Sequence, residues 1–245
     1  MIEALLLLSL LAARPQMPTT GVGPSPAAAG GGGNVPAFVQ GNSADNVASV
    51  SFSSNVTAGN AIYIVGFDGS GSGHTLTFSD TQGNTFTTNK QVNLATDGDT
   101  VGAACAIAGS SGADTLSMKV NGSAHNGAFV IYEISGATCT VDQAGSNNST
   151  GITSCDSGSI TTAFSNDFLL GACGLSHNTQ TFHLGAGWSN LFSSGTEAGG
   201  NNPVAAEVIA GTNTAGASYD AQMSLTSGTY SSWERGSLVI AYKHS

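Results

Sequence analysis

The chain has 245 residues, of which only 8% are charged, with 34 glycines and a formal net charge of −10 from five Lys and Arg against fifteen Asp and Glu. An average domain carries about 25% charged residues, so this composition points to turn-rich β-structure in one large domain and away from a cytosolic helical enzyme. Nucleic acid is excluded as a direct partner, because phosphate binding draws its affinity from cations, and a polybasic membrane patch is excluded on the same ground.

From the start of the chain, Leu5, Leu6, Leu7, Leu8, Leu10 and Leu11 fill the apolar run Ala4–Ala13. Their helix propensity, with Pro15 as the stop, predicts a short N-terminal apolar helix over residues 1–14. The run is shorter than the about 20 apolar residues that span a bilayer, and Glu3 stands where a secretory signal places Lys or Arg. A helix that is apolar nearly all round must be buried. The expectation is an assembly anchor docked on other subunits, with an uncleaved signal or a membrane-surface anchor as the competing reading. Residues 15–36, with their prolines and the Gly30–Gly33 run, read as an extended Pro/Gly-rich arm.

Residues 37–245 carry period-two alternation and short apolar runs between Gly, Asn, Asp and Ser. Candidate strands in order are Ala37–Gln40, Val47–Phe52, Ala61–Phe67, Thr75–Ser79, Thr100–Ile107, Thr115–Val120, Gly127–Ser135, Phe168–Gly174, Thr181–Leu184, Val204–Ala210, Ala217–Leu225 and Ser237–Tyr242. With no helical window after Ala13, the fold class is all-β: a two-sheet antiparallel β-sandwich, jelly-roll-like, in a single domain. Ala61–Phe67 and Phe168–Ala172 are apolar throughout, which predicts central strands covered on both faces.

Four cysteines, Cys105, Cys139, Cys155 and Cys173, allow three pairings. Cys139 and Cys155 flank the polar stretch Thr140–Ser154, which reads as a long loop that a disulfide would clip, given an oxidising exterior. Cys105 and Cys173 lie in apolar runs, either as neighbours in the core or as small buried hydrophobes. No CxxC supports zinc or thioredoxin-like chemistry, and no cofactor is expected.

Asp80-Thr81-Gln82-Gly83-Asn84 suits a hairpin between Thr75–Ser79 and Thr85–Thr87, since Asp starts turns and Gly or Asn accepts positive φ. This segment, with Thr57-Ala58-Gly59-Asn60-Ala61-Ile62-Tyr63-Ile64-Val65 before it, resembles a family of uncharacterised β-sandwich proteins found among bacterial secreted proteins and in phage genomes. Val130-Ile131-Tyr132-Glu133-Ile134-Ser135-Gly136, Asp167-Phe168-Leu169-Leu170-Gly171, Gly185-Ala186-Gly187-Trp188, Trp233 and Val239-Ile240-Ala241-Tyr242-Lys243 continue the similarity over about residues 38–243. The resemblance implies a β-sandwich and is nearly silent on activity.

No catalytic constellation is legible. His74, His125, His177, His183 and His244 sit mostly beside Gly, Asn or Ser, as solvated loop residues do, and no G-x-S-x-G accompanies them. Glycosidase carboxylates must face one cleft, and neither Asp97 with Asp99 nor Glu197 with Glu207 is favoured by the pattern. Asp97-Gly98-Asp99 offers loop oxygens to calcium but lacks the twelve-residue ligand pattern. Glu133, inside an apolar strand, either pairs with Lys243 or Arg235 or faces water from the outer side of its sheet; the second is the expectation. The sequons at Asn55, Asn121, Asn147 and Asn148 matter only on a eukaryotic secretory route.

The sequence therefore predicts a non-enzymatic structural or adhesion component of an extracellular assembly, above all a phage virion protein such as a capsid decoration, spike or tail-associated module. Residues 1–36 would meet its other subunits, and a trimer is the expected homo-oligomer. The alternative is a secreted lectin-like carbohydrate-binding module, with Trp188, Asn190, Tyr230 and Trp233 as contacts to a host glycan. Against that stands the commoner role of tryptophan in a sandwich, a plug in the core or at a sheet edge.

Overall fold

The computed structural model describes residues 33–71, 73–94, 98–150, 154–176, 181–190, 204–225 and 234–245, the side chains of 149 and 150 excepted. The expected anchor helix with Leu5, Leu6, Leu7, Leu8, Leu10 and Leu11, and the arm as far as residue 32, lie outside the described residues. Residues Gly32–Ser245 form one compact unit.

Every regular element among the described residues is a strand: β1 (Ala37–Val47), β2 (Ser49–Ser51), β3 (Ala61–Asp68), β4 (Leu76–Asp80), β5 (Thr87–Asn93), β6 (Thr100–Ile107), β7 (Thr115–Val120), β8 (Ser123–Ala124), β9 (Gly127–Ser135), β10 (Ala137–Thr150), β11 (Ser154–Asp156), β12 (Ile160–Thr161), β13 (Phe168–Leu175), β14 (Phe182–His183), β15 (Val204–Ala210), β16 (Ser218–Tyr219), β17 (Gln222–Leu225) and β18 (Glu234–His244). The chain is all-β and its ladders are antiparallel.

Two large sheets, β1-β9-β3-β6-β5 and β10-β18-β13-β15, face each other. Side-chain alternation decides what lies between them. Tyr63, Val65, Val101, Ala103, Val130 and Tyr132 of the first sheet meet Phe168, Leu170, Ala206, Val208, Leu238 and Ile240 of the second in one buried cluster. The opposite side chains, Ile62, Ile64, Ala104, Phe129 and Ile131, turn outward onto Val50, Leu76, Phe78, Leu116 and Met118 of a small sheet β2-β7-β4. On the far side of the second large sheet, Cys173, Leu175 and Ala205 are covered by Cys155, Phe182, Met223 and Leu225 of β11-β17-β14. Leu169, Val239 and Ala241 are covered by Ile160, Ala221 and Trp188.

The expected two-sheet sandwich is thus corrected to two large sheets with small sheets on their outer faces. Period-two alternation with both faces apolar gives unbroken apolar strands, which is why β3, β9 and β13 are hydrophobic almost throughout.

The unit contains a repeat that no residue pattern announced. With β5, β8, β12 and β16 set aside, β1-β9-β3-β6 with β2-β7-β4 and β10-β18-β13-β15 with β11-β17-β14 have the same order. In each run of seven strands, the first, last, third and fifth make the large sheet, and the second, sixth and fourth make the small one. Residues 37–135 and 137–244 are topologically equivalent halves packed through their large sheets. Aromatic rings lock this seam, Tyr63 lying 4.6 Å from both Phe168 and Tyr242 between centroids. Tyr63 Oη donates to Thr138 O at 2.8 Å, and Tyr242 Oη to Asn89 Oδ1 at 3.0 Å.

Three further expectations are corrected. The Thr140–Ser154 loop is instead mostly strand: β10 runs along β18 from Ala137 to Thr150, and as a sheet edge it tolerates Asn147 and Asn148. The cysteines pair as Cys105–Cys139 and Cys155–Cys173, with Cα separations of 5.4 and 6.1 Å. Cys105 faces the central cluster while Cys173 faces outward, so those two cannot meet, and extension of β10 carries Cys139 away from Cys155. The Asp80–Asn84 turn forms, with Asn84 N donating to Asp80 Oδ1 at 2.9 Å, but it is no hairpin. Its strands part into different sheets, β4 pairing with β7 and β5 with β6.

Candidate functional site

In the second half, the chain leaves β14 through Gly185-Ala186-Gly187-Trp188 and returns to the edge of β15 through the bridge Ser189–Val208. Gly187 sits at φ +84°, a conformation glycine adopts without a Cβ penalty. This turn, the end of β15 and the Ser218–Asp220 segment enclose an open cavity of about 380 Å3, lined by Ala186, Gly187, Trp188, Ile209, Thr212, Ser218, Tyr219 and Asp220.

Trp188 is held in place. Its Nε1 donates to Asp220 O at 3.1 Å, and its ring rests on two glycines: a Cβ on Gly171 would lie 3.4 Å from Cζ3, and one on Gly185 3.1 Å from Cδ1. Asp220 is held too, Oδ1 accepting from Ser157 Oγ at 3.1 Å and Oδ2 from Gln222 Nε2 at 2.8 Å. Tyr219 Oη accepts the Thr214 N–H at 2.8 Å, which leaves its own proton to donate.

Beneath the indole lies Glu207, fully buried on β15. Its Oε2 accepts from Gly185 N at 2.6 Å, and the Gln222 backbone also acts on the carboxyl. Burial dominates and pushes this carboxyl up to about 7.

In the first half the equivalent place, between the turn after β4 and the end of β6, is spanned by hydrogen bonds of polar side chains. Gln82 Nε2 donates to Gly112 O at 2.9 Å, Ser110 Oγ to Gln82 Oε1 at 2.8 Å, and Gly109 N to Asn84 Oδ1 at 2.9 Å. The turn glycine Gly83 has φ +77°, positive like that of Gly187 on the other side.

Of the expected glycan contacts, Trp188 lines the cavity and Asn190 does not; Tyr230 and Trp233 lie outside the described residues. The structure adds Tyr219, Asp220, Thr212 and Ser218. Sequence reasoning missed Ser218, Tyr219 and Asp220 because Ala217–Leu225 reads as one strand, whereas β16 and β17 are separate and Asp220 stands in the gap.

The Glu133 expectation is reversed. Its carboxylate is wholly buried and takes hydrogen bonds from Gln40 Nε2 at 2.7 Å, Thr57 N at 2.8 Å and Asn60 Nδ2 at 2.6 Å. Neither Lys243 nor Arg235 pairs with it: Lys243 Nζ lies over the Phe164 ring at 4.4 Å, and Arg235 is buried with no hydrogen-bond partner for its guanidinium among the described residues. The Thr57-Ala-Gly-Asn60 segment is a cradle for this carboxylate, which gives that motif a structural reason.

The histidines are less solvated than their neighbours suggested. Asp68, buried at the end of β3, binds His74 Nδ1, takes both Ser70 Oγ contacts at 2.8 and 3.0 Å and lies 3.3 Å from His125 Nδ1. Ser70 Oγ thus bonds the carboxylate directly and lies 3.3 Å from His74 Nδ1, the same ring nitrogen that Asp68 holds, whereas a triad serine meets the opposite nitrogen. His244 Nδ1 stands 3.7 Å from buried Asp167, whose carboxyl burial raises to about 6, with Asp142 adding to the rise. His183 is exposed, and His177 lies outside the described residues.

Among the described residues no group of three or more His, Cys, Asp or Glu is placed to hold a metal ion. Asp99 is buried and accepts from Gly71 N at 3.0 Å, and its expected partner Asp97 lies outside the described residues, as does Glu197 beside Glu207. No family model, no curated protein and no solved structure matches the chain.

Proposed function

We propose that this protein is a non-enzymatic adhesion component on the outside of an extracellular assembly, best fitted by a phage virion, and that its contact with a host glycan is the Trp188 cavity. Residues 1–36 serve as the attachment to other subunits, in a trimer. The first half is read as a jelly-roll-like sandwich, its strand order matching that fold if β5 is taken as a strand moved to the other sheet, and the second half is read as its repeat, with no counterpart of β5 among the described residues.

The observation that carries the reading is the pre-set Trp188 wall beside the Tyr219 hydroxyl and the Asp220 carboxylate. A saccharide presents C–H faces and hydroxyls together, and a fixed aromatic surface with a few convergent polar groups is what such a ligand needs. Two disulfides suit an oxidising exterior. The resemblance to bacterial secreted and phage β-sandwich proteins agrees with this setting.

Removal of residues 1–31, which spares the Asn34 N to Ser245 O bond, tests the attachment. The shortened chain is expected to fold and to be absent from the particle. Normal incorporation would end the anchor proposal.

A further inference from the structure

We infer that the Trp188 cavity takes an uncharged pyranose and discriminates against anionic sugars, an inference that rests on the saccharide reading above and adds its ligand class. The argument begins with the tryptophan. Its only N–H is turned inward to Asp220 O, so the indole offers the cavity carbon surface alone. With Ile209 and Ala186 it makes an apolar wall, complementary to the C–H face of a sugar ring.

The remaining polar lining residues, Tyr219, Thr212, Ser218 and Asp220, carry hydroxyls and a carboxylate, the Ser218 hydroxyl donating to Ile160 O at 3.4 Å. Tyr219 retains its proton for donation, and each Asp220 oxygen holds one protein hydrogen bond and retains capacity for a second. These groups match sugar hydroxyls, which donate and accept.

The charge is one-sided. Asp220 is the acidic residue of the lining, and no Lys or Arg stands there to receive a sugar carboxylate or sulfate. Of the five Lys and Arg, Lys90 and Lys119 lie on β5 and β7 of the first half, Lys243 lies over Phe164, Arg235 is buried, and Arg14 is outside the described residues. An anionic ligand would meet Asp220 and a chain of net charge −10 without a counter-charge.

The equivalent place in the first half sharpens the assignment. There Gln82, Asn84 and Ser110 occupy the ground between turn and strand, so the turn does not need an open cavity to fold. In the second half Trp188 stands back against glycines and leaves the space free.

The test is calorimetric titration of the full chain with neutral monosaccharides and short neutral oligosaccharides, beside N-acetylneuraminic acid and a sulfated disaccharide. Neutral sugars are expected to bind in the millimolar range or tighter and the anionic ones at least about tenfold more weakly. Trp188→Ala is expected to weaken binding at least about tenfold. Because that change also removes a buried contact, Thr212→Trp serves as the second variant. It fills the cavity from an exposed position and should abolish binding with an unchanged melting temperature. Preference for the anionic sugars would overturn the ligand class while leaving a saccharide-binding protein. Neutral binding untouched by Thr212→Trp would overturn the site. No binding of any sugar at about 10 mM would overturn both this inference and the saccharide reading beneath it.

Discussion

Cys105 on β6 and Cys139 on β10 are joined by a disulfide, and this bond ties the large sheet of the first half to that of the second. Cys155–Cys173 instead ties an outer sheet to a large sheet within the second half. Both closures restrict the unfolded chain, the first across 34 residues of sequence separation and the second across 18. In the chain-entropy account each contributes about 3–4 kcal/mol. Replacement of Cys105 and Cys139 by alanine should lower stability by that order in urea titration, and peptide mapping without reductant should recover 105–139 and 155–173 as the linked pairs. A recovered 139–155 peptide would refute the arrangement.

Glu133 holds three donors from two separate places in the chain: Gln40 on β1, and Thr57 and Asn60 in the segment before β3. Truncation removes three hydrogen bonds to a buried carboxylate, a kind of bond that contributes about 1.5–3 kcal/mol each. Glu133→Ala is expected to destabilise by more than about 3 kcal/mol, and Glu133→Gln by less, since one acceptor oxygen survives. Equal and negligible losses for both variants would show that the cradle does not support the fold.

The pH dependence follows from Glu207 and Asp167, both raised by burial, to about 7 and about 6. Between its unfolded value near 4.5 and about 7, folded Glu207 keeps a proton that the unfolded chain releases. Stability from this group is therefore fully present below pH about 4.5, falls as pH rises, and levels above about 7. Asp167 acts in the same direction over a lower window, from about 4 to about 6. Denaturant titrations at pH 5 and pH 8 should show the protein more stable at pH 5. Glu207→Gln should reduce that difference by on the order of 3 kcal/mol. An unchanged slope in the variant would contradict a buried neutral carboxyl.

Phe67 of the first half lies against Gly174 of the second, and a Cβ at Gly174 would come 2.2 Å from Phe67 Cδ2. Both residues are packed inside the seam, where neighbours have little room to shift. Gly174→Ala should cost about 1–3 kcal/mol through overpacking. The double variant with Phe67→Leu should recover part of that loss, a coupling readable in a double-mutant cycle. Additive losses would place the two residues out of contact.

By itself the sequence determined the all-β class, because period two and turn residues are local properties. Several strands stand where alternation placed them: Thr100–Ile107, Thr115–Val120, Gly127–Ser135 and Val204–Ala210 coincide with β6, β7, β9 and β15. The unbroken apolar character of Ala61–Phe67 and Phe168–Ala172 announced coverage on both faces.

Tertiary structure alone decided the rest, since each remaining feature depends on which residues distant in sequence come together. β10 is polar enough to read as a loop and becomes a strand because β18 supplies its hydrogen bonds. Cysteine pairing follows the face each strand presents, which spacing does not encode. Glu133 turned inward only because Gln40, Thr57 and Asn60 converge on it. The cavity required Tyr219 and Asp220, brought to Trp188 by the pairing of β17 with β14 and visible only once the break between β16 and β17 was in place.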